Sequence, residues 1–311
     1  MRKVLHLDEN HEVLWNGLEA LNYHNEADYT SSYASLLEKI GDYTGLIIRS
    51  RIPVDRALLQ RAEQLQFIGR IGAGLENIDL EEAAEQQIAI ISAPEGNRNA
   101  VAEHALGMLL SLLNNLRRAD QEVRTGVWKR AENRGIELSN LTVGIIGYGY
   151  MGKQFAKCLS GFDCEVLCHD ILKGVENEHA RQVNWKDFSE KVDVVSLHTP
   201  QTPQTIHLID DNFIETMQKP FWLINTARGS AVDTRALLKG LDSGKIRGAA
   251  LDVLEYENKA FTALFDQENT PEELKVLLKR DDVLLSPHIA GWTHDSHYLL
   301  AKTVLDKIAR L

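Results

Sequence analysis

Arg228, Glu257 and His288 are the residue types that acid/base chemistry on a carboxylate-bearing alcohol requires. A histidine takes up or releases a proton near neutral pH. A carboxylate beside it fixes the orientation of the imidazole and favours its cation. An arginine forks onto a substrate carboxylate and polarises a carbonyl in the reverse direction. Singly, each has an ordinary reading: a strand-end arginine in a salt bridge, a loop histidine in solvent. A second group is Gly147-x-Gly149-x-x-Gly152, between the apolar run Val143 to Ile146 and a helix-forming stretch from Lys153 to Ser160. Its glycines serve a tight turn, close backbone approach to a pyrophosphate, and tight helix-on-strand packing. The helix N-terminus offers unpaired N–H groups to phosphate. Another apolar run, Glu165 to His169, ends in Asp170, 23 residues past Gly147. An acid about 20 residues on suits ribose hydroxyls and repels a 2′-phosphate. The glycines alone are compatible with a plain strand–helix turn. Strand, helix, second strand and acid in register point to a dinucleotide, NAD rather than NADP.

These residues fall at the ends of predicted strands. Buried runs at Val192 to Leu197, Phe221 to Ile224, Gly248 to Val253 and Val283 to Leu285 each end in a polar cluster. The clusters are His198-Thr199-Pro200, Asn225 to Gly229, Asp252, and Pro287-His288. Ligands of open parallel sheets lie beyond the carboxyl ends of the strands, so the clusters converge on one edge. Upstream, strands at Val4 to Leu7, Gly45 to Ser50, Phe67 to Ile71 and Ile88 to Ser92 alternate with helices at Glu9 to Leu21, Leu36 to Ile40, Leu58 to Leu65 and Leu80 to Gln87. That rhythm indicates a first parallel α/β unit. Pro94 to Asn97 punctuates the chain before the longest helical pattern, Asn99 to about Thr125. Its apolar stripe is wider than one exposed face needs. It packs on a sheet and another subunit, or wholly within the chain. Tyr256 to Asp281 is longer and more polar than a simple connection, with a helix from Glu272 to Lys279, and a last helix runs from Thr293. The expected fold class is α/β: two Rossmann-like doubly wound parallel-sheet domains with a cleft between them. Residues 1–95 plus 290–311 form a discontinuous substrate-binding domain, and 96–289 the NAD-binding domain.

At 311 residues the chain has length for two domains of about 150 residues. A net charge of −11 argues against nucleic-acid or acidic-membrane partners. No apolar run approaches the roughly 20 residues of a membrane span, and charges at Asp8 and Glu9 interrupt any signal-peptide core. Cys158, Cys164 and Cys168 form no CxxC and read as core or surface thiols, not a metal site. A cytoplasmic location is expected, and no metal.

Asn225-Thr-Ala-Arg228-Gly, Gly248-Ala-Ala-Leu-Asp252-Val-Leu-Glu-Tyr-Glu257 and Ser286-Pro-His288-Ile-Ala-Gly resemble, in order, three signatures of the D-isomer-specific 2-hydroxyacid dehydrogenases. Ala93 to Asn97 with Val101-Ala-Glu-His104 resembles that family's hinge and long dimer helix. The resemblance covers essentially the whole chain and implies a homodimer. It implies Arg228 as ligand of the substrate carboxylate, His288 as acid/base and Glu257 as its partner. Asp252 and the main chain at Thr226, Ala227 and Arg228 would hold the nicotinamide, with His288 and Gly291 adjoining. His198, Thr199, Pro200 and Thr205 would flank the adenine side. Gly147, Gly149, Tyr150, Met151, Gly152 and Asp170 complete the expected cofactor set. His104 would be structural.

Within the family the likeness is greatest to D-3-phosphoglycerate dehydrogenases, which implies a phosphorylated 2-hydroxy or 2-oxo acid and serine biosynthesis. Arg49, Arg70 and Arg130 are the residues that suit a phosphate, though each also reads as a surface ion pair. Gly72, Ala73 and Gly74 would present N–H groups to the carboxylate, with Asn97 nearby. Erythronate-4-phosphate dehydrogenases and glyoxylate or hydroxypyruvate reductases stay open. So does the role of the C-terminal-binding-protein corepressors, which resemble the family and work as NAD(H)-responsive scaffolds. Departures from the pattern are Asn258 in place of proline, a run from Glu257 to His288 about a dozen residues longer, Trp292 in place of a smaller residue, and Tyr150 in place of arginine. A chain ending at Leu311 leads to the expectation of no regulatory domain and no serine feedback through one.

Overall fold

The computed structural model describes residues 2–257 and 270–311. Asn258 and most of the extension before His288 lie outside the described residues. In chain order the elements of the first half are β1 (Arg2–His6), α1 (Glu12–Ala20), β2 (Tyr23–Ala27), α2 (Tyr33–Lys39), β3 (Gly45–Ile48), α3 (Arg56–Leu59), β4 (Phe67–Arg70), α4 (Leu80–Glu85), β5 (Ala89–Ser92), α5 (Pro94–Leu113) and α6 (Leu116–Arg124). There follow β6 (Thr142–Ile146), α7 (Tyr150–Leu159), β7 (Glu165–His169), β8 (Arg181–Gln182), α8 (Trp185–Lys191), β9 (Val194–Leu197), α9 (Asp211–Thr216), β10 (Phe221–Asn225), α10 (Thr234–Asp242), β11 (Ile246–Leu251), α11 (Glu272–Leu277), β12 (Val283–Leu285) and α12 (His294–Ile308). The described residues divide into two compact units, 2–98 with 292–311 and 99–257 with 270–291. Among them no helix is long and apolar enough to cross a membrane.

The first unit is a five-stranded parallel sheet in the order β2-β1-β3-β4-β5. Every residue of β3 is buried, which is why it reads as a continuous apolar run. The final helix covers one face: a Cβ added at Gly69 of β4 would lie 2.9 Å from Val304 of α12. Lys307 pairs with Glu95 at 2.9 Å and donates to the Ser92 carbonyl at 2.8 Å, tying α12 to the start of α5. Side-chain caps start the helices, with Ser32, Asp55 and Asp79 each accepting from an N–H three residues on. Strand β2, Tyr-His-Asn-Glu-Ala, carries no apolar run, and sequence periodicity misses it. It is an edge strand held by its ladder with β1 and by His6 Nε2 to Asn25 Oδ1 at 2.9 Å.

The second unit is a seven-stranded parallel sheet, β12-β11-β10-β9-β6-β7-β8. The chain runs outward from β6 through β7 to β8, then returns to the other side of β6 with β9. The strand order therefore reverses between β6 and β9, where Ile146 pairs with Leu197. Such a switch point opens a crevice at the carboxyl ends. The helix predicted from Asn99 to Thr125 differs in the structure. It begins at Pro94, a residue suited to the first helical turn, and it breaks at Asn114-Asn115. Asn115 takes the left-handed conformation (φ 53°), which asparagine tolerates, and α6 restarts after it. Ala102, Ala105, Leu109 and Leu113 of α5 are buried in the core against β6 and β10. The helix predicted over Leu58 to Leu65 is only the four residues of α3.

Two contacts at the strand ends bear on stability. Gly229, just past β10, passes so close to the next crossover that a Cβ would lie 2.0 Å from the Leu254 carbonyl oxygen. Gly229→Ala is expected to destabilise the protein by about 1–3 kcal/mol through overpacking. Gly161→Ala, where nothing lies within 4 Å, should change stability by less than about 0.5 kcal/mol in the same urea titration. His198, past β9, is only partly buried as a residue, yet its Nδ1 has no solvent contact, and burial lowers its pKa to about 3. The folded-state value lies below the unfolded one, so the unfolded chain binds the extra proton. Stability is then full above pH 6.5 and falls as pH drops toward 3. Between pH 7 and 5 His198 accounts for a loss of up to about 2 kcal/mol, and His198→Gln should remove that share of the acid slope.

Candidate active site

The glycine loop opens where β6 ends. Gly147 has φ +89°, and its Cβ would stand 2.7 Å from the His198 carbonyl oxygen across the switch point. A Cβ at Gly152 would meet the Gly147 oxygen at 2.2 Å, so this glycine lets α7 press onto the loop. The chain itself demands both. A Cβ at Gly149 meets nothing within 4 Å, so no internal contact calls for glycine there, and open space lies over the backbone. Gly149 is also the N-cap of α7 and makes no side-chain cap, which leaves the first-turn N–H groups to an outside acceptor. Tyr150 and Met151 begin that helix, and Tyr150 is half exposed. Asp170 leaves the end of β7 and turns back onto the loop, accepting from Tyr148 N at 2.6 Å and Leu172 N at 2.8 Å.

Three buried polar atoms stand along the same edge without a hydrogen-bond partner among the described residues: His198 Nδ1, Thr199 Oγ1 and Thr226 Oγ1. Buried polar atoms are seldom left unmatched. Their position past the ends of β9 and β10, on the sheet edge that carries the glycine loop, fits a polar cofactor such as a dinucleotide. Thr205 Oγ1 donates to the Pro200 carbonyl at 2.8 Å and accepts from Thr202 N at 2.8 Å, shaping the turn after Pro200.

At the end of β10 the fully buried Asn225 clamps the next turn. Its Oδ1 accepts from Ala227 N at 3.0 Å, and its Nδ2 donates to the Arg228 carbonyl at 2.9 Å. Arg228 Nη1 donates to the Ala227 carbonyl at 2.7 Å. On the loop after β12, His288 Nδ1 lies 3.0 Å from Glu257 Oε2, so the structure joins these two predicted partners directly. His288 is held at φ 54°, in the left-handed region that non-glycine residues seldom enter.

What enforces that conformation is Asp252, at the end of β11 and 1% exposed. Its Oδ1 accepts from the Ser286 hydroxyl at 2.6 Å and Ile289 N at 2.9 Å, and its Oδ2 from Ala290 N at 2.8 Å. Its backbone oxygen accepts from His288 N at 2.8 Å. From α5, His104 Nε2 approaches the Ser286 hydroxyl at 3.0 Å and Asp252 Oδ1 at 3.5 Å. Both Asp252 oxygens thus serve the chain's own loop, a use the sequence reading did not identify. Nor did it single out Ser286. The signal was the pairing of β11 with β12, which brings Leu251 opposite Leu285 and so sets Asp252 beside Ser286.

The other predicted substrate residues divide between the units. In the first unit Arg49, at the end of β3, donates its backbone N–H to Asp8 Oδ2 at 2.6 Å. Arg70 ends β4 and folds back over the turn that Gly72, Ala73 and Gly74 form, with Nη1 2.8 Å from the Ile71 carbonyl. Asn97, in the first turn of α5, has a buried Oδ1 without a partner among the described residues. Arg130 lies in the second unit, exposed on the arm that follows α6.

Residues 106–290 match the family model described as D-isomer specific 2-hydroxyacid dehydrogenase, NAD binding domain. The chain is 34% identical over 301 residues to a D-3-phosphoglycerate dehydrogenase of Archaeoglobus fulgidus, covering 95% of this chain and 54% of that protein. It is 36% identical over 287 residues to a glyoxylate reductase of Thermofilum pendens, covering 90% and 81%. Among solved structures, a D-lactate dehydrogenase from Aquifex aeolicus complexed with NAD and lactic acid is similar at TM-score 0.85 and 26% identity, covering 99% of this chain and 94% of that one. The chain spans about half the length of the phosphoglycerate dehydrogenase relatives it matches. The chain belongs to the D-isomer-specific 2-hydroxyacid dehydrogenase family.

Proposed function

We propose that the protein is an NAD-dependent dehydrogenase acting at the C2 hydroxyl of a D-2-hydroxy acid, with 3-phosphoglycerate, oxidised to 3-phosphohydroxypyruvate in serine biosynthesis, as the substrate that fits best. The observation that carries the reading is the His288–Glu257 pair, held on a loop anchored by Asp252 at the strand edge that carries the glycine loop. The first-turn N–H groups of α7 would hold the pyrophosphate, Asp170 the ribose hydroxyls, and Thr199 and Thr226 further polar groups. NAD held there would supply the hydride acceptor for C2. Glu257 fixes the orientation of His288 through Nδ1, which directs proton exchange to Nε2. In the oxidising direction Nε2 takes the hydroxyl proton as the C2 carbonyl forms; in reverse it returns that proton. Arg228 grips the substrate carboxylate with its guanidinium fork.

The phosphorylated substrate rests on Arg49, Arg70 and Arg130 and on the phosphoglycerate dehydrogenase relatives. A second reading, glyoxylate or hydroxypyruvate reduction, is favoured by the relative named glyoxylate reductase, most of whose length is matched. We further infer a cytoplasmic homodimer. Leu116, Val123 and Trp128 leave 54%, 53% and 76% of their surface exposed on α6 and the arm after it, and apolar side chains so placed suit a second copy of the chain.

His288→Ala is expected to lower kcat by about 100- to 10,000-fold and to leave the Kd for NADH within about threefold; full activity in that variant would remove the assignment. In size-exclusion chromatography with light scattering the wild type should run as a dimer. Trp128→Asp should shift it toward the monomer, and an unchanged dimer would place the interface elsewhere.

A further inference from the structure

Trp292 directly precedes the N-cap of α12 and is 63% exposed. An apolar residue at that position commonly packs back on the fourth helical residue, which here is the polar ring of His297. The indole instead lies against Arg49, with the guanidinium carbon 4.0 Å from the ring centroid. Both backbones are fixed. Asp8 and Asn77 bind the Arg49 N–H and carbonyl at 2.6 and 3.3 Å. Trp292 leads into the capping box of Thr293 and Ser296, with bonds of 2.9 and 3.0 Å.

Among the described residues the Arg49 guanidinium makes no ion pair or side-chain hydrogen bond. Asp8 acts on its charge from a distance but bonds its backbone. Burial, and then the nearby charge of Arg49 and the rings of His11 and His294, push the His297 pKa down against the pull of Glu9, with the His11 ring 5.5 Å away. A half-buried cation whose guanidinium makes no direct ion pair gains from an anion that reaches it. A guanidinium held over an aromatic ring can still offer N–H groups to an anion.

We propose that Trp292 is a specificity-determining residue, whose stacking on Arg49 holds the guanidinium in one orientation for the distal phosphate of the substrate. A phosphate monoester carries nearly two charges, so the fixed fork favours it over an uncharged terminus at the same place. The proposal rests on the phosphorylated-substrate reading above.

The test is the ratio of kcat/KM for 3-phosphoglycerate to that for D-glycerate, in wild type, Trp292→Phe and Trp292→Ser, with NADH affinity measured on each to show an intact protein. Trp292→Phe retains a stacking face and should keep the ratio within about threefold. Trp292→Ser should lower it about tenfold, through KM for the phosphorylated acid. If Trp292→Ser keeps the wild-type ratio, or lowers both substrates together as a damaged helix cap would, the proposal is overturned and the broader reading stands. A wild-type ratio near one removes the phosphorylated-substrate reading and the proposal with it.

Discussion

The Asp252 carboxylate is withdrawn from solvent and takes hydrogen bonds from one hydroxyl and two backbone amides of the segment Ser286 to Ala290. A buried charge persists only where such bonds replace its hydration. Here those bonds also define a loop conformation. They draw the chain after β12 over the end of β11 and turn His288 through the left-handed region, so that Nδ1 reaches Glu257. Breaking one bond leaves a buried oxygen or amide unmatched, at about 1–3 kcal/mol. The loop is therefore held by hydrogen bonds to one buried carboxylate.

The same economy recurs at the neighbouring strand ends. Asn225 does for the Thr226 to Arg228 turn what Asp252 does for the His288 loop, using its amide group as both donor and acceptor. Asp170 pins the glycine loop from the other side of β6. Asn225 at the end of β10, Asp170 after β7 and Asp252 after β11 each rigidify the loop on which a reactive or binding group is displayed.

Much of this was legible in the chain. Buried parallel strands such as Val143 to Ile146 read as unbroken apolar runs, so both sheets and the polar tips of β9 to β12 follow from the sequence. The dinucleotide loop was legible because two of its glycines are demanded by backbone crowding at 2.7 and 2.2 Å. Strand β2 was not, because an edge strand held by its ladder and one His6–Asn25 bond needs no apolar pattern. The break at Asn115 was hidden since apolar periodicity continues across it, and the backbone sign of a single residue decides it. The Asp252 network was hidden for a different reason: it depends on which strands are neighbours, and sequence order does not state that. Trp292 stood out as a departure from the family pattern, but its partner Arg49 emerged only from the fold.

Asp252 is expected to act on the chemistry by positioning His288, whose loop its oxygens hold. Asp252→Asn tests it most directly, with kcat and the NADH dissociation constant measured on the same folded preparation. The account predicts a fall in kcat of about a hundredfold with NADH affinity changed by less than about threefold. A tenfold or greater loss of NADH affinity with kcat near the wild-type value would contradict it, and would return the carboxylate to the cofactor.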